Sequence, residues 1–322
     1  GNTTANYEID TNTPSIVAFT LSDLSLKKGE TATVILEFSE AVTNFSSDDD
    51  ITVENGNLTL MTSGDNITWT GTFTPTDNIE DTTNVLTLAD SYTDSAGNTG
   101  VTNTTANYEI DTKKPTITLT GDDPVTVERT NAYVDAGATA TDGLDGDITA
   151  NIVIDTTNVN VNIIGAYTVT YDVNDAAGNA ADQVTRTVNV VDTTGPSVIS
   201  FVLSDTSLIK GETATVTLQF SEAVNGFASN DDITVANGSL SIMTSDDNIT
   251  WTGTFTPSDN IEDTTNVLTL ANTYFDGSGN AGVGNTTANY EIDTNTPSIV
   301  AFTLSDLSLK KGETATVILE FS

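Results

Sequence analysis

Through most of the chain, apolar residues recur at every second position. In residues 31–38, TATVILEF, Ala32, Val34, Leu36 and Phe38 fall on one face and Thr31, Thr33, Ile35 and Glu37 on the other. In residues 67–74, ITWTGTFT, Ile67, Trp69 and Phe73 point inward while Thr68, Thr70, Thr72 and Thr74 point outward. Alternation of this kind predicts strands with one buried face. Further strands are expected at 15–21, 51–53, 58–61, 84–88 and 107–110, separated by the turn-forming runs KKGE, SSDDD, ENGN, SGDN and SAGN. No apolar stripe of helical period is long enough for a core helix.

The pattern itself repeats. The run from Pro14 to Thr112 matches the run from Pro196 to Thr294 without a gap, at an offset of 182, and roughly three quarters of the positions agree. Where the copies differ on the 31–38 strand, they differ at outward Ile35/Thr217 and Glu37/Gln219, which supports the assigned phase. Residues 284–322 are identical to residues 1–39. Between the copies lies a different stretch with the same grammar. There, Tyr167, Val169, Tyr171 and Val173 alternate inward, and 185–191 reads as a last strand. Self-similarity at a fixed offset marks a repeat architecture. Modules of about 100 residues exceed solenoid repeats and are long enough to own a core. The expected organisation is beads on a string: 1–13 as the last strand of a preceding module, 14–112 as a first module, 113–193 as a smaller one, 194–294 as a repeat of the first, and 295–322 as the first strands of another. Seven or so short strands per module predict an all-β chain of tandem immunoglobulin-like antiparallel sandwiches.

Composition narrows the chemistry. Among 322 residues there are 46 acids, 9 bases, no Cys and no His, for a net charge of −37. Such a chain repels nucleic acid and anionic membrane surfaces, and its ionic partners are cations. Without Cys or His, thiolate or imidazole zinc sites, Ser-His-Asp triads and Cys-His dyads are excluded. No apolar run approaches the ~20 residues of a membrane-spanning helix, and no direct membrane insertion is expected.

The motifs LSLKKGETATVILEFSEAVTNF, DDITVENG, ITWTGTFTP and EDTTNVLTL resemble the bacterial Ig-like domains repeated in large surface adhesins of the biofilm-associated and RTX types. GLDGDITANIVI, GAYTVTYDVNDAAGNAA and RTVNVV resemble a second bacterial Ig-like family. The resemblance implies an extracellular stalk at the bacterial cell surface that holds an adhesive tip away from the cell, with Ca2+ between its domains.

The carboxylates also point to calcium, which takes six to eight oxygen ligands. At the junctions stand Asp10, Asp111 and Asp293, each in EIDT, and Asp192 in VVDTTGP, each followed four residues later by Pro. The loops Asp94–Asn98 and Asp276–Asn280 are placed to fold back onto the same end, and Glu40 and Glu222 in FSEAV are further candidates. A second cluster is Asp142, Asp145 and Asp147 in TDGLDGDIT, which lacks the EF-hand pattern. A third is Asp172 and Asp175, with Asn179, in YDVNDAAGN. Taken singly, each Asp also reads as a turn residue. Crowded carboxylates repel by ~1 kcal/mol per close pair even in water, and a divalent ion converts that repulsion into a crosslink.

The leading expectation is therefore a non-enzymatic spacer stiffened by Ca2+, whose partners are the neighbouring modules. An alternative is a self-assembling filament or sheath, in which other copies of the chain exchange strands or pack laterally. Lower stands a carbohydrate- or ice-binding module suggested by the Thr rows. The sequons at Asn2, Asn66, Asn103, Asn248 and Asn285 read as chance in a chain rich in Asn and Thr. Lys113 and Lys114 follow Asp111, where they are placed to pair with acids across the joint.

Overall fold

A computed structural model describes residues 4–322. Residues 1–3, including the sequon residue Asn2, lie outside the described part. The chain divides into two compact units, Gly1–Val191 and Asp192–Ser322. The first unit holds the first and middle modules; the second holds the repeat of the first module and the segment after it.

In the first module the alternating strands form the predicted layer. Ile16–Leu21, Ala32–Phe38, Thr68–Pro75 and Gly56–Leu58 lie in that order in one antiparallel sheet. The opposing layer is broken into smaller sheets, of which the largest runs Ser25–Lys27, Tyr108–Asp111, Glu80–Asn84. Ser25–Lys27 joins Tyr108–Asp111 in parallel, so the start of the module is stitched to its end. Ala32, Val34, Leu36 and Phe38 are all buried, with Phe73, Tyr92, Tyr108 and Ile110. The inward phase read from the sequence holds for these residues, with Trp69 packing against the core from a half-buried position, whereas Ile67, expected inward, precedes the Thr68–Pro75 strand and is only half-buried. The only helical elements among the described residues are single turns, Ser47–Asp50, Ser229–Asp232 and Thr149–Asn151.

Two expected strands are displaced. Gly56–Leu58 stands where 58–61 was expected, with Gly56 under the Phe73 ring, where a Cβ would lie 2.3 Å from it, while Thr59 and Thr62 continue to bond to the Thr68–Pro75 strand less regularly. Glu80–Asn84 precedes the expected 84–88 strand, and only its last residue, Asn84, is buried. Residues 4–11 carry the same letters as 105–112, yet Tyr7 is 79% exposed where Tyr108 is 0%. Tyr108–Asp111 is a strand because it pairs on both sides; the earlier copy meets no such partner among the described residues and forms no strand.

The middle module is smaller. Thr116–Leu119, Ala138–Asp142 and Gly146–Asp147 form one sheet; Val125–Glu128, Val184–Val191, Gly165–Asp172 and Val153–Asp155 form the other. Its core of Ile117, Ala140, Ile148, Val169, Tyr171, Val173 and Val188 closes around a buried arginine, Arg186, which is 1% exposed. Arg186 Nη1 lies 2.9 Å from Asp135 Oδ2, and its Nη2 donates to the Gly137 and Thr120 carbonyls. The hydroxyls of Tyr133 and Tyr171 donate to the same Asp135 oxygen.

In the second unit the module architecture recurs, from Val198–Leu203 to Tyr290–Asp293. Beyond it, Ile299–Leu304 and Val317–Phe321 form a hairpin whose Phe302 is exposed, whereas the matching Phe19 is buried in the first module.

Candidate metal centre

Each module carries one tight loop of the form Asp-x-x-Gly-Asn: Asp94–Asn98, Asp175–Asn179 and Asp276–Asn280. The Asp side chain closes it. Asp94 Oδ1 accepts from the N–H groups of Ala96 and Asn98, at 2.9 and 2.8 Å. The fourth residue is glycine because the backbone there is left-handed, with φ of 89°, 92° and 89° at Gly97, Gly178 and Gly279. The Asn amide then reaches two ways. Asn98 Nδ2 donates to Asp94 Oδ2 at 2.7 Å and to the main-chain oxygen of Asp10 at 3.3 Å. Asn280 repeats this with Asp276 and Asp192 at 2.8 and 3.0 Å, and Asn179 with Asp175 and Asp111 at 2.8 and 3.1 Å. All three loops thus hold the linker aspartate that precedes their own module.

This grip concentrates carboxylates. Asp94 pairs with Val42, two residues beyond Glu40, so the end of one strand is set beside the loop. Asp10, Glu40 and Asp94 then place one oxygen each within 4.8 Å of one another, and Asp192, Glu222 and Asp276 do the same in the second unit. Two oxygens on opposite sides of one Ca2+ stand up to about 4.8 Å apart, twice its ~2.4 Å ligand distance. The donor set is hard oxygen throughout, which suits calcium and not the thiolate- or imidazole-preferring metals. Asp94 and Asp276 are buried, at 2% and 1% exposure. The hydrogen bond from the Asn98 side chain, ahead of the loop N–H groups, holds Asp94 below the usual carboxylate range against its burial. At Asp276 burial pushes upward most strongly, but the bonds from Asn280, Ser278 and Gly279 outweigh it. Both therefore stay charged.

The head of the middle module is a looser variant. Asp142 ends the Ala138–Asp142 strand, one residue past the pair Thr141–Thr116, and so takes the place that Glu40 has in the first module. Its Oδ1 caps the following turn, accepting from Leu144 and Asp145 N–H, while its Oδ2 is buried without a hydrogen-bond partner. Burial, then the charges of Asp175 and Asp142, push Asp111 up to about 6. A cation at this point would satisfy the orphaned oxygen and relieve the repulsion. The Asn179 amide brings Asp111 and Asp175 together, and Asp142 stands near enough for its charge to act on Asp111, although the three carboxylates do not converge as closely as those of the other two cradles.

The remaining candidates stand apart. Asp145 accepts the Ala176 N–H at 2.6 Å. Asp147 caps Thr149, and Asp172 takes the Gln183 amide on both oxygens. Asp293 ends its strand exposed and accepts from Asn295 N–H. The Asp135–Arg186 pair was not anticipated; its members lie 51 residues apart, and no local spacing announces them.

Comparison with known proteins fits this construction. A family described as "Bacterial Ig-like domain" matches residues 10–110 and 192–292, and one described as "Bacterial surface protein, Ig-like domain" matches 117–190. The chain belongs to the bacterial Ig-like domain family. Both matches to that family start at or beside the linker aspartate, so the gripped residue belongs to the module it introduces. The pesticidal crystal protein Cry22Aa of Bacillus thuringiensis is 34% identical over 99 residues, 27% of this chain and 13% of that protein. The chain therefore spans only a small part of that curated relative's length. Titin domains I67–I69, in an E-to-A variant, align over 88% of this chain and 99% of theirs at 10% identity and a TM-score of 0.46. The eight N-terminal Ig domains of Down Syndrome Cell Adhesion Molecule align over 91% of this chain and 38% of theirs, at 9% identity and a TM-score of 0.31. No described helix is long and apolar enough to cross a membrane.

Proposed function

We propose that this chain is a spacer of an extracellular bacterial adhesin, whose modules are held to their linkers by Ca2+. The observation that carries the reading is the recurrence of Asp10–Glu40–Asp94 as Asp192–Glu222–Asp276 at the head of each copy. A linker residue, a strand end and a loop converge there, and nothing in the sandwich core requires them to. Asp10, Glu40, Asp94 and Asn98 would hold one ion, Asp192, Glu222, Asp276 and Asn280 another, and Asp111, Asp142 and Asp175 a third. The ion supplies a crosslink between a flexible linker and a rigid body, so that an array of modules resists bending.

The test is calorimetry and small-angle scattering in Ca2+ and in EGTA. Ca2+ at a hundred times its Kd should stabilise the module it binds by ~2.7 kcal/mol and lengthen the particle, and Asp94→Asn with Asp276→Asn should remove most of both effects. Melting and dimensions indifferent to EGTA would end the calcium reading. Uniform thick fibres under negative stain, rather than single strings of beads, would favour assembly with other copies of the chain.

A further inference from the structure

Glu80 lies on the Glu80–Asn84 strand of the first module, yet its side chain is only 12% exposed. Both carboxylate oxygens are engaged by groups later in the chain. Oε2 pairs with Nζ of Lys113 in the linker at 2.7 Å. Oε1 accepts the N–H of Gly143, in the middle module, at 3.0 Å. A Cβ on Gly143 would lie 2.1 Å from Glu80 Oε2, and its three nearest neighbours would all be Glu80 carboxyl atoms. Gly143 is not among the residues with left-handed φ. A side chain at 143 would displace the Glu80 carboxylate from this position, and backbone conformation does not call for glycine there.

The repeat carries the same carboxylate behind a different linker. Glu262 holds the same place on Glu262–Asn266, where among the described residues only the hairpin Ile299–Leu304 with Val317–Phe321 follows and no counterpart of Gly143 faces it. Its Oε2 accepts from Asn295 Nδ2 at 3.2 Å. The strand and the carboxylate are the same; the linkers are not, Lys113-Lys114 in one case and Asn295-Thr296 in the other.

We infer that Glu80 is a docking determinant that selects which kind of module seats behind the first one. Its partner is a module of the middle type, recognised by a linker lysine and by the bare peptide N–H of Gly143. Charge-assisted hydrogen bonds to both oxygens of one carboxylate fix direction as well as distance. A module that follows an Asn-Thr linker offers no lysine to this carboxylate. The determinant's cation is covalently part of the chain, so its bonds need no Ca2+, although Glu80 pairs with Asp111 across the sheet and Gly143 follows Asp142.

The absence of Cys makes the test clean. Cysteines placed at exposed Asn57 and Asn158 in the full chain carry spin labels, and their separation is measured by double electron–electron resonance in EGTA. The parent should give one narrow distance distribution. Gly143→Ala and Glu80→Gln, which spoil the fit from opposite sides, should each broaden it at least twofold, and so should Lys113→Asn, while Asp147→Asn, an exposed turn cap in the same pair of modules, leaves it as it was. Distributions as narrow in Gly143→Ala and Glu80→Gln as in the parent would overturn the inference, and so would equal broadening by Asp147→Asn.

Discussion

In the first module the interior is closed by rings. Phe38 meets Phe45 edge-on at 5.6 Å and Tyr92 at 4.8 Å, and Phe45 in turn meets Trp69 at 4.9 Å. The middle module has no such ring cluster; it buries the Arg186–Asp135 pair, with the guanidinium 5.5 Å from the centre of the Tyr171 ring. The contrast follows from size. A shorter chain encloses less apolar surface, and directional bonds to one arginine tie together segments that hydrophobic burial alone holds weakly. A ring cluster tolerates gradual loss, whereas a buried charge is satisfied only while every partner stays in place.

Both tryptophans, Trp69 and Trp251, lie in the ring-closed modules, so their fluorescence reports those modules without the middle one. Phe38→Ala or Phe220→Ala should cost ~3–5 kcal/mol in the tryptophan-reported denaturant transition and leave the other transition in place. Coupled movement of both transitions would break the contrast. Arg186→Met should cost the middle module a similar ~3–5 kcal/mol by stranding Asp135, and adding Asp135→Leu should restore most of it. If Arg186→Met alone is neutral, the buried pair is not what holds that module.

Acid gives a smaller effect. Burial works to raise the Asp135 pKa, but the bonds from Tyr133, Tyr171 and Gly137 and the Arg186 charge outweigh it, leaving the group below the usual carboxylate range. A depressed folded pKa means stability that is fully present above the unfolded value of about 3.9 and lost as pH falls through the folded value. The middle module of Asp135→Asn should therefore lose stability less steeply than the parent below about pH 4, as followed by thermal melts. The smallest change is expected at the exposed Lys114–Asp182 pair, where Lys114→Ala should cost under ~1 kcal/mol and fade in salt. A larger loss would mean that surface charge contributes more to the middle module than its interior suggests.

The sandwich was legible because burial imposes period two on residues such as Ala32, Val34, Leu36 and Phe38. The strand Glu80–Asn84, EDTTN, was not, since all but Asn84 remain at least partly open to solvent and no apolar residue marks its phase. The cradles were half legible. Asp10, Glu40 and Asp94 each stood out as acids near a module end, but their meeting depends on the Asp94–Val42 pairing. Asp142 was assigned to its own Gly-spaced cluster, because what carries it toward Asp111 is the pairing of Thr141 with Thr116, a register between strands that local spacing does not reveal.

The Asn98, Asn179 and Asn280 amides all take hold of a peptide oxygen, an atom that every amino acid supplies. The grip is consequently blind to what the linker spells. A unit spliced behind another keeps this one bond at the new seam, while the contacts to the linker's carboxylate and lysine side chains depend on which linker it brings.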